Sequence, residues 1–216
     1  MEERPPSTGL TVPHGGLVPS GPVLPSLLVS LAVALSSGNP ADVRGATVLV
    51  EGGAFHGSGI VWAPGRVLTA LHVVEEMPAI TVAMAGRSPR PARVVDRDPA
   101  IDLALLAVDG ELGPALPLGA SALLTRGERV ELVGCPARAC GGGEGTVLEA
   151  ARAFAGARYL ALAARVIPGA SGGPVVDARG ALVGIVDLAL VREVVALAIP
   201  IERAAARFPR GSALSP

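Results

Sequence analysis

Short aliphatic runs, most of them bounded by glycine or proline turns, recur from position 46 to position 200. They lie at 46–51 (ATVLVE), 57–62, 66–70, 80–84, 92–95, 103–108, 129–133, 146–150, 159–166, 174–177, 181–190 and 194–200. Runs of this length, rich in valine and separated by Gly/Pro turns, read as strands, so the chain is expected to be all-β. The stretch 201–207 reads as a closing helical turn, and 110–120, rich in Gly, Pro and Leu, as a long crossover. Half of the residues are hydrophobic but only 2% are aromatic, so the core must be built from Val, Leu, Ile and Ala. At 216 residues the chain is long enough for one sizeable core or two small barrels.

One stretch departs from this pattern. Residues 166–186 read VIPGASGGPVVDARGALVGIV, with Ser171 bracketed by Gly169, Gly172 and Gly173. A serine hydroxyl is a poor nucleophile unless a base takes its proton and donors wait for the oxyanion. Glycines around it allow a tight loop whose backbone N–H groups converge, as residues bearing Cβ would not. Gly169 and Ser171 are the candidate donors. A glycine-rich hairpin holding an incidental serine is the plainer reading of these residues alone.

The histidines decide between the two. There are only three: His14, His56 and His72. His14 lies in a Pro/Gly-rich leader, and His56, beside Gly57-Ser58-Gly59, reads as a loop or strand-edge residue. His72 follows the strand-like run GRVLTAL and stands at its end in a small-residue turn. A third group must orient an imidazole that acts as a base. Asp102 directly precedes the apolar run LALLAV and is expected to be drawn inward beside His72, whereas Asp96 and Asp98, flanking Arg97, read as an exposed turn.

TALH at 69–72, DPAIDLALL at 98–106 and PGASGGPVV at 168–176, in this order, resemble the chymotrypsin-type serine proteases, and specifically the bacterial HtrA/Deg-like branch. The segments GSGIV at 57–61 and ALAIPI at 196–201 agree with it, so the resemblance covers about 46–208. It implies two six-stranded antiparallel β-barrels, the first at about 46–118 and the second at about 121–208, with the active site in the cleft between them. Residues 41–216 would then be a trypsin-like peptidase domain behind a leader at 1–40. The PDZ module that HtrA proteins usually carry has no counterpart in these residues, so the expectation is a protease domain alone.

The activity implied is serine endopeptidase. Ser171 attacks a peptide carbonyl, His72 accepts its proton, Asp102 holds the imidazole tautomer, and an acyl-enzyme is hydrolysed by water. The Gly169 and Ser171 N–H groups would form the oxyanion hole. Val166 and Ile167, before the serine, with Gly184 and Val186 on the following strand, are expected to line an apolar primary pocket; Asp187 or Arg165 reaching in would select a charged residue instead. Ala170 stands where digestive members carry the aspartate that pairs with a new N-terminus, so no activation of that kind is expected. The competing reading is a catalytically silent or partner-activated binding module on the same fold.

Other chemistries are excluded by arithmetic. Gly169-x-Ser171-x-Gly173 also satisfies the nucleophile elbow of α/β-hydrolases, which need a histidine after the serine, and none follows His72. GGGEGT at 141–146 hints at a phosphate cradle, but a P-loop needs a lysine and all 18 basic residues are arginine. No cofactor and no metal site is expected. The net charge of −1, with no block of like charges, gives no support for nucleic acid as a partner and points to protein or peptide substrates. The arginines are dispersed and read as solvated.

Residues 1–21 read as a disordered leader, and 23–35 are apolar but too short to span a bilayer comfortably. That run resembles a signal-peptide h-region with cleavage shortly after Ser36, which implies export to the periplasm or beyond. Against it, the n-region is long, and Glu2 and Glu3 outnumber Arg4; a short helix or tail, and a cytoplasmic protein, is the other reading. Cys135 and Cys140 are compatible with a small disulfide or with free thiols.

Overall fold

A computed structural model describes residues 40–136, 139–190 and 194–211. The leader with its apolar run at 23–35, and His14, lie outside them. The chain forms two closed six-stranded antiparallel barrels, as expected. The first contains β1 (Thr47–Gly52), β2 (Phe55–Ala63), β3 (Arg66–Ala70), β4 (Ile80–Ala83), β5 (Arg90–Asp98) and β6 (Leu103–Val108), in the order β1-β2-β3-β6-β5-β4, with β4 back on β1. The second contains β7 (Arg129–Gly134), β8 (Gly141–Phe154), β9 (Ala157–Ala163), β10 (Pro174–Asp177), β11 (Leu182–Leu190) and β12 (Val195–Pro200), closed by β7 on β10. Three short helices accompany them: α1 (Pro40–Gly45), α2 (Leu71–Val74) and α3 (Ile201–Arg207). No helix among the described residues is long and apolar enough to cross a membrane.

The continuous apolar runs follow from packing on both faces. In β6 every residue is buried. Ala104, Leu106 and Val108 turn into the first barrel with Val48, Val50, Val61 and Val67. Leu103 and Leu105 turn outward onto a seam shared with Val133, Val176, Leu182 and Ile185 of the second barrel. Period-two alternation thus feeds two apolar environments instead of one core and solvent. Each such Val, Leu or Ile side chain contributes roughly 1.5–3 kcal/mol of burial. Trp62 is buried in the seam; its Nε1–H donates to the Phe208 carbonyl at 2.8 Å, and the Arg210 guanidinium lies 4.3 Å from its ring centre.

Two sequence expectations are corrected here. Asp96 and Asp98 are not an exposed turn: β5 runs through them, with a bulge between Val94 and Asp96. Arg207 of α3 grips Asp96 through two bonds of 2.6 and 2.7 Å and reaches Asp98 at 3.1 Å, so this arginine is not merely solvated. The strand expected at 146–150 extends over Gly141–Phe154, because Gly141, Gly142 and Gly143 pair along β7. Glycines carry no side-chain signal for a strand, and the ladder partner decides.

The Arg207 fork ties α3, at the end of the second barrel, to β5 of the first. Its hydrogen bonds hold the Asp96 carboxyl below its ordinary value of 3.8. The stabilisation is therefore fully present above that value and is lost as pH falls through the lowered one. Arg207→Ala is expected to lower the melting temperature at pH 7, with the difference from wild type shrinking below about pH 4. Thermal melts at both pH values check it.

Candidate active site

The β3 strand ends at Ala70, and α2 begins at once with Leu71 and His72. The turn before β6 meets it. Asp102 there adopts a left-handed backbone, φ 52°, a conformation that aspartate tolerates better than most residues and that clusters at functional sites. In this conformation the Asp102 carbonyl accepts the Leu71 N–H at 2.9 Å and its Oδ1 accepts the His72 N–H at 3.0 Å. Oδ2 meets His72 Nδ1 at 2.5 Å. The aspartate therefore holds both the first turn of α2 and the partly exposed imidazole of its second residue. With Nδ1–H donating to Asp102, Nε2 carries the lone pair.

Electrostatics follow from that contact. The hydrogen bond to Asp102 raises the His72 pKa above 6.5 against the opposing effect of burial, and the charges of Asp102, Asp187 and Glu75 add to it. For Asp102 burial pushes upward, but the bond to His72 and its charge outweigh it and leave the carboxyl below 3.8.

Ser171 arrives from the second barrel on the loop before β10. Ile167-Pro168-Gly169-Ala170 forms a turn closed by the Ala170 N–H to the Ile167 carbonyl at 3.1 Å. Gly169 stands at its third position with φ +83°, and Pro168 at its second, the residues a type II turn requires. Ala170 is buried against Gly134 of β7, where a Cβ on Gly134 would come 2.7 Å from the Ala170 Cα. The Ser171 hydroxyl donates to the carbonyl of Asp187 at 3.3 Å.

Ser58, fully buried on β2, ties this loop to the first barrel. Its N–H donates to the Ser171 carbonyl at 2.8 Å, its hydroxyl donates to the Gly169 carbonyl at 2.5 Å, and its Oγ accepts the Cys135 N–H at 2.8 Å. Cys135 and Cys140 are joined by a disulfide that closes the β7–β8 hairpin beyond the Gly134–Gly141 pair. Of the two sequence alternatives for these cysteines, the structure has the disulfide. His56 is an exposed strand-edge residue on β2, opposite Glu51, and borders the loop: a Cβ added to Gly169 would come 3.1 Å from its Cδ2.

Val166 and Ile167 line a cleft of about 430 Å³ together with Pro168, Ala189, Leu190 and Arg165. Gly184 and Val186 do not. Val186 turns into the core of the second barrel, and Gly184 packs on Ile199 and Ala198, so the strand wall of the cleft falls further along β11. Asp187 is not in the cleft either. It is 3% exposed, and its Oδ1 lies 3.7 Å from His72 Nδ1, on the inner side of the imidazole. Sequence reasoning gave Asp187 only an alternative part in specificity, not its place beside His72, and it missed the part of Ser58 in tying the serine loop to the first barrel. The available signals were a lone aspartate in the apolar run LVGIVDLAL and a serine between two glycines on a strand.

The sequence matches the model of the trypsin-like peptidase domain over residues 57–185. It is 36% identical over 138 residues to the probable periplasmic serine endoprotease DegP-like of Pseudomonas fluorescens, covering 60% of this chain and 28% of that protein. It is 36% identical over 145 residues to the serine protease Rv3671c of Mycobacterium tuberculosis, covering 60% of this chain and 35% of that protein. The chain thus spans about a third or less of the length of these curated relatives. In three dimensions it is similar to the crystal structure of the Rv3671c protease in an inactive form, with a TM-score of 0.68, 28% identity, and coverage of 79% of this chain and 91% of that one. An HtrA-type protease, AlgW with a decapeptide, shares the fold at a TM-score of 0.69 over 76% of this chain and 63% of that one, with 24% identity. The matched model covers more than half of the sequence, and the barrels, their order and the His–Asp contact agree with it: the chain belongs to the family of trypsin-like peptidase domains.

Proposed function

We propose that this chain is a serine endopeptidase in which His72 is the general base, Asp102 its orienting partner and Ser171 the nucleophile. The observation that carries the reading is the double grip of Asp102 on His72, through backbone N–H and Nδ1, which leaves Nε2 as the free base. Ser171 Oγ stands against the backbone carbonyl of Asp187, whose carboxyl lies beside the same imidazole. Attack of Oγ on a peptide carbonyl transfers its proton to Nε2 and forms a tetrahedral intermediate; His72 gives that proton to the amine, which leaves as the acyl-enzyme forms, and water, deprotonated by His72, then releases the acyl group. The Gly169 and Ser171 N–H groups serve the oxyanion. In support, a type II turn orients the Pro168–Gly169 peptide opposite to type I, and among the described residues neither N–H donates to a backbone carbonyl. Removing one such donor costs about 10²–10³ in rate.

The substrates are proteins or peptides. The cleft formed by Val166, Ile167, Pro168, Ala189 and Leu190 is mostly apolar and suits a small or medium aliphatic side chain, while Arg165 on its lining favours an acidic group at its rim. The disulfide, and the word periplasmic in the name of the Pseudomonas relative, support export. A second reading, a peptidase silent until a partner engages it, is favoured by one observation: the Ser171 hydroxyl donates to the Asp187 carbonyl and not to His72.

Treatment of the folded protein with a fluorophosphonate tests the choice. A single adduct on Ser171, absent after denaturation, is expected. Folded protein that takes no label supports the second reading and rejects the first.

A further inference from the structure

Behind the His72–Asp102 pair lies a second carboxyl with no ordinary place in a barrel core. Asp187 sits on β11, in a run whose preceding residues are all apolar or glycine, and its side chain is 2% exposed. Its Oδ1 has no hydrogen-bond partner among the described residues. One oxygen of each carboxyl and the imidazole Nδ1 all lie within 4.8 Å of one another. Two carboxylates this close, one of them buried, do not both ionise readily. Asp102 keeps its charge because His72 supplies two bonds to it. Asp187 has less: the Tyr159 hydroxyl and the charge of His72 favour its ionised form, but burial and the neighbouring Asp102 outweigh them.

We propose that Asp187 is a positioning residue: a buried carboxylic acid that retains its proton, turns it toward Asp102, and so keeps His72 in the neutral form that can act as a base. The proposal rests on the peptidase reading above. Two arrangements of the cluster hold the same number of protons. In one His72 is neutral and Asp187 is protonated; in the other His72 is an imidazolium and Asp187 is ionised. Only the first leaves Nε2 able to accept the Ser171 proton. Burial of Asp187, then the hydrogen bond and charge of Asp102, favour the first and push the Asp187 carboxyl up to about 7. The surrounding groups are few. Tyr159 of β9 faces Asp187 and is itself held above 10, by burial first and then by the charge of Asp187. Glu75 beyond α2 acts on His72, Arg203 of α3 acts on Tyr159, and the Ser171 hydroxyl donates to the Asp187 backbone carbonyl.

The proposal also sets the sign of a stability effect. The unfolded chain ionises Asp187 near 3.8, while the folded chain keeps the proton to about 7. Between these values the folded state binds the extra proton, so Asp187 makes the protein less stable as pH rises through that window.

The test compares wild type, Asp187→Asn and Asp187→Ala by the rate of fluorophosphonate labelling from pH 5 to 9 and by thermal melts from pH 4 to 8. Asparagine keeps a donor toward Asp102 but cannot ionise. Its acid limb is expected to coincide with that of wild type, because the protonated acid and the amide are alike uncharged beside the imidazole. Alanine removes the donor and is expected to lower the labelling plateau about tenfold, a loss that asparagine largely restores. In the melts, asparagine should gain on wild type as pH rises from 4 to 7 and gain no more above it. An acid limb that asparagine moves to lower pH, the mark of an anion at position 187 in wild type, or a melting difference independent of pH, overturns the proposal; a residue that merely fills space would give a melting difference with no pH dependence. A wild type that takes no label sinks the peptidase reading instead, and the melts then decide the protonation of Asp187 on their own.

Discussion

Asp102→Asn is expected to lower kcat by about 10⁴ while leaving the fold in place. Asparagine fits the same space, and its amide oxygen can still accept the His72 N–H that Asp102 Oδ1 accepts at 3.0 Å. Its NH₂ then faces Nδ1, where the carboxylate Oδ2 stood at 2.5 Å. A donor opposite Nδ1 forces the proton onto Nε2, and the imidazole can no longer take one from Ser171. The raised His72 pKa should collapse as well, since the bond to Asp102 is its largest cause. The measurement is kcat on a peptide substrate, with circular dichroism as the control for folding. A loss below tenfold would mean that Asp187, 3.7 Å from Nδ1, orients the histidine by itself.

Gly172→Ala should cost about 3 kcal/mol or more of stability, from two effects that add. Gly172 has φ +82°, a left-handed conformation that a Cβ disfavours. Its backbone also runs against the first barrel, so an added Cβ would collide with the Ser58 carbonyl and the Thr69 hydroxyl and come 3.0 Å from the Ala70 nitrogen. These atoms have no freedom to retreat: Ser58 O already accepts the Thr69 hydroxyl at 2.6 Å, and Gly172 N–H is fixed to the Val186 carbonyl at 2.7 Å. Gly127→Ala is the matched control. It has φ +93° with nothing within 4 Å of an added Cβ, so it carries the backbone strain alone, about 1 kcal/mol. Urea unfolding of the two variants separates strain from collision. Equal losses would show that the seam relaxes around Gly172.

The sequence by itself determined the all-β class; its resemblance to a protease family supplied the division into two barrels, and the three residues proposed for chemistry were picked out along the chain. Strand periodicity and turn residues are local properties, and so is the glycine bracket around Ser171; each can be read within a few positions. Asp102 was distinguishable from Asp96 and Asp98 for a local reason too, its place at the mouth of the run LALLAV. What it did there was not. Its left-handed backbone and double grip on His72 need the two segments, 30 residues apart, to meet.

Only the tertiary structure decided the rest, because it turned on which long-range partner each polar group found. Asp96 and Asp98 looked solvated until α3 brought Arg207 to them from about 110 residues away. Ser58 looked like part of a glycine-rich strand until it spanned the seam to Gly169 and Ser171. Position along β11 separated Val186, turned into the barrel, from Ala189 and Leu190 at the cleft, through the register shift between Val186 and Leu188. Asp187 lies within that same shift. A sequence shows that an aspartate interrupts an apolar strand, but burial and the charges that share its cavity set its protonation, and those come from α2, β9 and the turn before β6 only once both barrels have closed.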